Sequence, residues 1–203
     1  PGLASMTAAM LDEGAGGKDA LALADAVTFL GAELETWTSW DATAVSLKVP
    51  VARLEAALSL MADTVLRPEF SDKELDRLRK EALSRLLQAR AEPGAIASRA
   101  LAAAVFGSAH RYGRPMGGDA ASIAALTTAA LKAFHAEHYR PGNAFLVVTG
   151  DVAHASLKPL LEKALGASAW PAGGAAPKPL PPPAQLKGRV FWLVDKPGAA
   201  QSV

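Results

Sequence analysis

His135 and His138 stand three residues apart in the run FHAEHY, a spacing that turns both imidazoles to one side of a helix. Such a pair could begin a metal site, but two imidazoles need further ligands and groups that orient them, so packing is the preferred reading. His110 sits in the glycine-bounded stretch HRYGRP. Loops of this kind often bind, yet hydrogen bonds that shape the loop account for it more simply. His154 falls near a helix start and signals nothing. Asp12 and Glu13 would suit paired carboxylate chemistry, against which stands the plain solvation of acids at a turn closing a helix. Trp37 and Trp40 flank a turn and offer either a platform for an apolar peptide or packing at a core or domain interface; both readings stand. Finally, GLASMTAAMLDEG places Ser5, Ala8 and Ala9 on the inward face of an amphipathic helix, where a helix of this design could hold metal ligands.

The 203 residues suffice for one large or two small domains with a substantial core. Half are hydrophobic, alanine is prominent and only 6% are aromatic, which suits a helix-rich protein. Without cysteine there are no disulfides, thiolate zinc sites or cysteine nucleophiles. Twenty-one basic residues against 20 acidic ones leave a net charge of +1, which argues against nucleic acid or an anionic membrane as the main partner. Arg77, Arg79, Lys80, Arg85 and Arg90 make a basic run, but Asp72, Glu74, Asp76 and Glu81 intersperse it, so a solvated face is expected. GAGG and GGD lack the strand-glycine-helix frame and the following lysine of a phosphate loop. No apolar run is long enough to span a bilayer. The chain begins at Pro1 and breaks off in AAQSV, so a piece of a longer protein is expected.

The elements that would position these residues follow from periodicity. Helical spacing marks 3–11 and 18–30, with the glycines of DEGAGG read as a helix stop. AELETWTSWDATAVSLKVP reads as a β-hairpin turning near 39–41. Helices follow from 51 to Pro68 and from Ser71, the N-cap of the longest, whose buried stripe is Leu75, Leu78, Ala82, Leu83 and Leu86. An alanine-rich helix after Pro93 runs to Phe106, then a polar loop, a short helix near Ile123 and another from Thr128 to Tyr139. AFLVVTGDV has the continuous apolar run of a buried strand. A last helix near 154–165 leads into WPAGGAAPKPLPPPAQLKG, a proline-rich linker, and RVFWLVDKPG restarts a strand. Helices and an antiparallel hairpin without β-α alternation favour α+β over a doubly wound sheet.

Six segments in order carry a resemblance: GLASMTAAMLDEG, FLGAELETWTSWDATAVSL, ALSLMADTVLRPEFSDKELDRLRKEAL, HRYGRP, FHAEHYRPGNAFLVVTGDV and LVDKPGAAQS. Together they resemble a domain of the M16 zinc metallopeptidases, the family of insulinase, pitrilysin and the mitochondrial processing peptidase, over nearly the whole chain. The family's chemistry resides in H-x-x-E-H on its first helix, where two imidazoles reach one zinc and a carboxylate acts on its water. Laid on this sequence, that motif puts Ser5 at the first His, Ala8 at the Glu and Ala9 at the second His, while Met10 still matches. The family's third ligand, a Glu on the long helix, falls at Arg85, and an earlier acid at Leu78. Arginine stays protonated and has no lone pair to give.

Replacement of ligands and base together implies a non-catalytic member with no metal of its own. By resemblance, the zinc belongs to a homologous zinc-bearing M16 domain or subunit, and two such halves close a chamber around an unfolded peptide. The expected fold is an α+β, M16 metallohydrolase-like domain, mostly an antiparallel sheet (hairpin 33–49, strands 145–150 and 190–195) with helices mainly on one face. Residues 1–168 form that domain without its N-terminal strand, 169–188 the linker, and 189–203 the start of a following M16-like domain. The resemblance points to a bacterial periplasm or cell envelope. Two other readings are an M16-derived structural or peptide-binding module with no peptidase attached, and an independent enzyme using His110 or His135.

Overall fold

The computed structural model describes residues 1–170, 172–173, 179–180, 182, 188–195 and 197–198. Helix α1, Leu3–Ala9, is short, and Met10, its C-cap, and Leu11 behind it are fully buried. The stretch expected as a helix stop instead makes a small hairpin: β1, Gly14–Ala15, pairs antiparallel with β2, Lys18–Asp19. Gly16 and Gly17 between them have φ of +60° and +78°, the conformation a two-residue hairpin loop needs and other residues resist. Asp19 then caps α2, Ala20–Phe29, its carboxylate accepting from the Ala22 amide at 2.8 Å.

The second hairpin falls where the alternation of residue types puts it. Strand β3, Glu33–Thr38, pairs antiparallel with β4, Thr43–Lys48, in the register Glu33↔Lys48 to Thr38↔Thr43. Leu34, Thr36 and Thr38 face inward and Glu33, Glu35 and Trp37 outward. Ser39 closes the turn, its amide donating to the Ala42 carbonyl at 2.8 Å.

Helix α3, Leu54–Leu66, is the most buried, and α4, Asp72–Ala89, begins at Ser71, whose hydroxyl accepts from the Glu74 amide. Then come α5 (Pro93–Phe106), α6 (Ala120–Ala124), α7 (Thr128–His138) and α8 (His154–Leu165). Met6 and Met10 of the first segment, Leu75 and Leu78 of α4, Ile123 of α6 and Leu131 of α7 meet in one core, so α1 lies among helices distant in sequence. A smaller cluster joins Ala15, Leu23 and Leu60. No helix among the described residues is long and apolar enough to cross a membrane.

The expectation of a mostly antiparallel sheet is corrected. Helices dominate, and the β-structure among the described residues is two separate two-stranded sheets. Segments 145–150 and 190–195 pair with nothing described: Phe145 is 90% and Phe191 95% exposed. A strand is defined by its ladder, and an apolar run with no neighbouring strand has no partner for its amides and carbonyls. Parts of the linker and all of 199–203 lie outside the described residues.

Candidate functional site

The start of α1 is fixed by a close backbone approach. Gly2 has φ +84°, and a methyl group added there would stand 2.8 Å from the Gly117 carbonyl oxygen. One helical turn on, Ser5 Oγ donates to the Met116 carbonyl at 3.2 Å. On the other side Thr36 Oγ1 donates to the Ala8 carbonyl at 2.9 Å, tying α1 to β3. Helix α1 is thereby held between the hairpin and the loop before α6.

Between α1, α4, α5 and that loop lies a cleft of about 480 Å³. Ser5 and Ala9 line it from α1, and Leu78 and Arg85 from α4. Ala8 does not line it, being buried. Trp40 reaches the cleft because its hairpin turn is pinned to the loop: Tyr112 Oη donates to the Asp41 carboxylate at 2.7 Å, Arg111 stands 3.6 Å from the same carboxylate, and Trp40 packs edge-on against Tyr112. The Asp41 carboxylate also pushes the Tyr112 phenol above its ordinary value. Trp37 is half exposed on the outer face of β3 and does not line the cleft. Of the two tryptophans, only Trp40 joins the positions singled out on α1 and α4.

A zinc ion does not fit this set. Ala9 offers a methyl group, the Ser5 hydroxyl is spent on a backbone carbonyl, and Arg85 brings a permanent cation. Among the described residues no three His, Asp or Glu side chains gather in a way that could hold a metal.

The histidines have packing roles. His135 Nε2 donates to the Val65 carbonyl at 2.8 Å, and its ring lies against Tyr139 and Phe70. Burial pushes its pKa down, outweighing the carbonyl that favours the charged form. His138 packs on Phe134 and is 3.9 Å from Glu137. His110 is buried, stacked on Phe106, and its Nδ1 accepts from the Tyr112 amide at 3.1 Å, so it shapes the loop that carries Arg114 and Met116.

The acidic pair expected to be merely solvated is partnered. Glu13 pairs with Arg77 of α4, and Arg77 also holds Glu74 and Glu81, each at 2.7 Å. Asp12 lies close to Thr36, and burial raises its pKa. Three residues have roles that the sequence reading did not assign, Arg77 among them, which was expected only on a solvated face. Arg77 is the hub joining α1 to α4, and Arg99 of α5 and Arg114 of the loop join Arg85 in lining the cleft. Nothing in sequence spacing announces that Arg99 lines the same cleft as Arg85, since that depends on where the chain places α5 relative to α4.

Residues 1–119 match the family model described as Insulinase (Peptidase family M16), and residues 125–203 that of the Peptidase M16 inactive domain. The chain is similar to a solved peptidase M16 inactive domain from Pseudomonas fluorescens, with 35% identity and a TM-score of 0.83 over 91% of this chain and 44% of that one. Its fold is also similar to a part of pitrilysin, with a TM-score of 0.77 at 23% identity over 91% of this chain and 20% of pitrilysin. An uncharacterised zinc protease of Mycobacterium leprae is 29% identical over 149 residues, 73% of this chain and 33% of the relative. The chain thus spans about a third of the length of such curated relatives.

Proposed function

The chain belongs to the M16 family of peptidases, and we propose that it is a half of such a protein that performs no zinc chemistry, helps enclose peptide substrates and supports a zinc-bearing M16 partner domain. The observation that carries this reading is the cleft itself. Ser5, Ala9 and Arg85, at positions where the family's motif would bring ligands, line it together and offer a hydroxyl, a methyl group and a permanent cation in place of a zinc ligand set. Two supports come from the comparisons: the match of residues 125–203 to the inactive-domain model, and curated relatives, longer than this chain, that are zinc proteases by name. We take 1–168 as one unit, because Leu131, beyond the point where one family match gives way to the other, packs in the same core as Met6. Residues 169–188 then act as the linker, and 189–203 as the beginning of a second M16-like domain.

Elemental analysis and peptide cleavage by the purified chain test this reading. The expected result is no stoichiometric zinc and no hydrolysis by the chain alone. About one tightly held zinc per chain, with imidazole ligands in X-ray absorption, contradicts it.

A further inference from the structure

The cleft that has no zinc ligands is rich in another chemistry. Arg85, Arg99 and Arg114 line it from three separate elements, and no Asp or Glu lines it among the described residues. The three guanidiniums are poorly neutralised. Arg85 stands 4.0 Å from Glu81, which Arg77 already holds at 2.7 Å. Arg114 spends only its Nε, on the Ser108 carbonyl at 2.6 Å. Arg99 has no hydrogen bond or ion pair among the described residues. Beside these cations and two serines, Ser5 and Ser98, the lining is mostly apolar, with Trp40, Leu86 and Met116 facing the same space.

We propose that this cleft binds the carboxylate of a peptide, gripped by Arg85 and Arg99 with Arg114 beside them, while Trp40 and Met116 receive an adjacent apolar side chain. The inference rests on the reading of the chain as a peptide-enclosing M16 half and adds to it a ligand chemistry and a place. A guanidinium presents a planar fork of donors that matches a carboxylate in two parallel hydrogen bonds, which a lone ammonium cannot do. Three such forks around an apolar pocket of about 480 Å³ give room for a few residues of extended chain. The carboxylate comes either from a peptide's C-terminus or from an acidic side chain, and both present the same two oxygens.

Fluorescence anisotropy on the full 203-residue chain tests this with four labelled apolar octapeptides. One ends in a free carboxylate and one in its amide; two more are amidated and carry a single internal Glu or Gln. The expected result is that a carboxylate form binds about tenfold tighter than its neutral twin, the size of one charge-assisted pair, with the gap narrowing toward about 1 M salt. The twin pair that shows the gap identifies the source. Arg85→Gln and Arg99→Gln each weaken carboxylate binding about tenfold. Arg90→Gln, on the same helical end but outside the cleft, changes it less than about twofold. Equal affinity for charged and neutral twins, no binding by any peptide, equal loss in Arg90→Gln, or displacement by an equal concentration of inorganic phosphate would overturn the proposal. Circular dichroism on each variant confirms folding, which these exposed positions preserve. Binding without carboxylate preference sinks this inference and leaves the supporting role standing; stoichiometric zinc sinks the supporting role whatever the affinities.

Discussion

Arg77 on α4 pairs with Glu13 in the turn that closes α1, and the same guanidinium holds Glu74 and Glu81. Glu74 and Glu13 are only 10% and 20% exposed at their side chains, whereas Arg77 is 44% exposed, so solvent screens part of the attraction. Arg77→Ala leaves two largely covered carboxylates without their cation. Its expected cost is about 1–2 kcal/mol in urea denaturation, with Arg77→Lys recovering less than half because a compact ammonium lacks the spread fork whose three nitrogens each meet a different carboxylate. Because hydrogen bonding to Arg77 holds Glu74 below its ordinary 4.5, this support is present above that pH and is lost as pH falls further. Unchanged stability in Arg77→Ala would show that the network is incidental.

Burial depresses His135, so its imidazole stays neutral in the folded chain at pH values where the unfolded chain takes up a proton. The unfolded state then binds more protons, and stability rises with pH across that window. The contribution is complete above the ordinary value of 6.5 and declines as pH falls through the depressed value. Melting temperature should therefore drop between neutral and mildly acidic pH in the parent chain. In His135→Gln, which can still donate to the Val65 carbonyl, that slope should flatten. An identical slope in the variant would assign it to other groups.

Gly2 and Gly17 both adopt positive φ, but only Gly2 faces a backbone atom where a methyl group would sit. Gly17→Ala should cost about 1 kcal/mol, the left-handed penalty alone. Gly2→Ala adds the collision with Gly117 and should cost at least twice that, displacing α1 from the loop at the cleft. Thermal melts of the two variants decide this, and equal losses would mean that the loop simply yields.

Much of this was legible in the residues. Helices α4, α5 and α8 and the hairpin of β3 and β4 follow from apolar spacing, caps and alternation, which are local. The small hairpin at Gly14–Asp19 was hidden because paired glycines serve a helix stop as readily as a tight turn. The apolar runs at 145–150 and 190–195 have strand composition, but pairing is supplied by a neighbour and composition cannot provide one. At the cleft, Ser5, Ala9 and Arg85 were readable by position. Arg99 and Arg114 were not, because the convergence of three elements is a tertiary property.

Phe145, Val147, Phe191 and Leu193 are 90%, 73%, 95% and 94% exposed. Extended apolar runs without strand partners invite another chain. The isolated chain is expected to self-associate at tens of micromolar, and either removal of residues 189–203 or Val147→Lys should shift it toward monomer. Light scattering after size exclusion reads this directly. A chain that stays monomeric at every concentration would show that these runs find cover within their own domain.

As proposed, this chain supports peptide hydrolysis by a zinc-bearing partner and does none itself. The most direct test of that role is hydrolysis of an unfolded peptide by an H-x-x-E-H-bearing M16 partner domain, assayed with increasing amounts of this chain, and by this chain without the partner. The account predicts no hydrolysis by the chain alone and a saturable rise in the partner's zinc-dependent rate as the chain is added, levelling at one chain per partner. Hydrolysis by the chain alone, or a partner whose rate ignores it, would contradict the account.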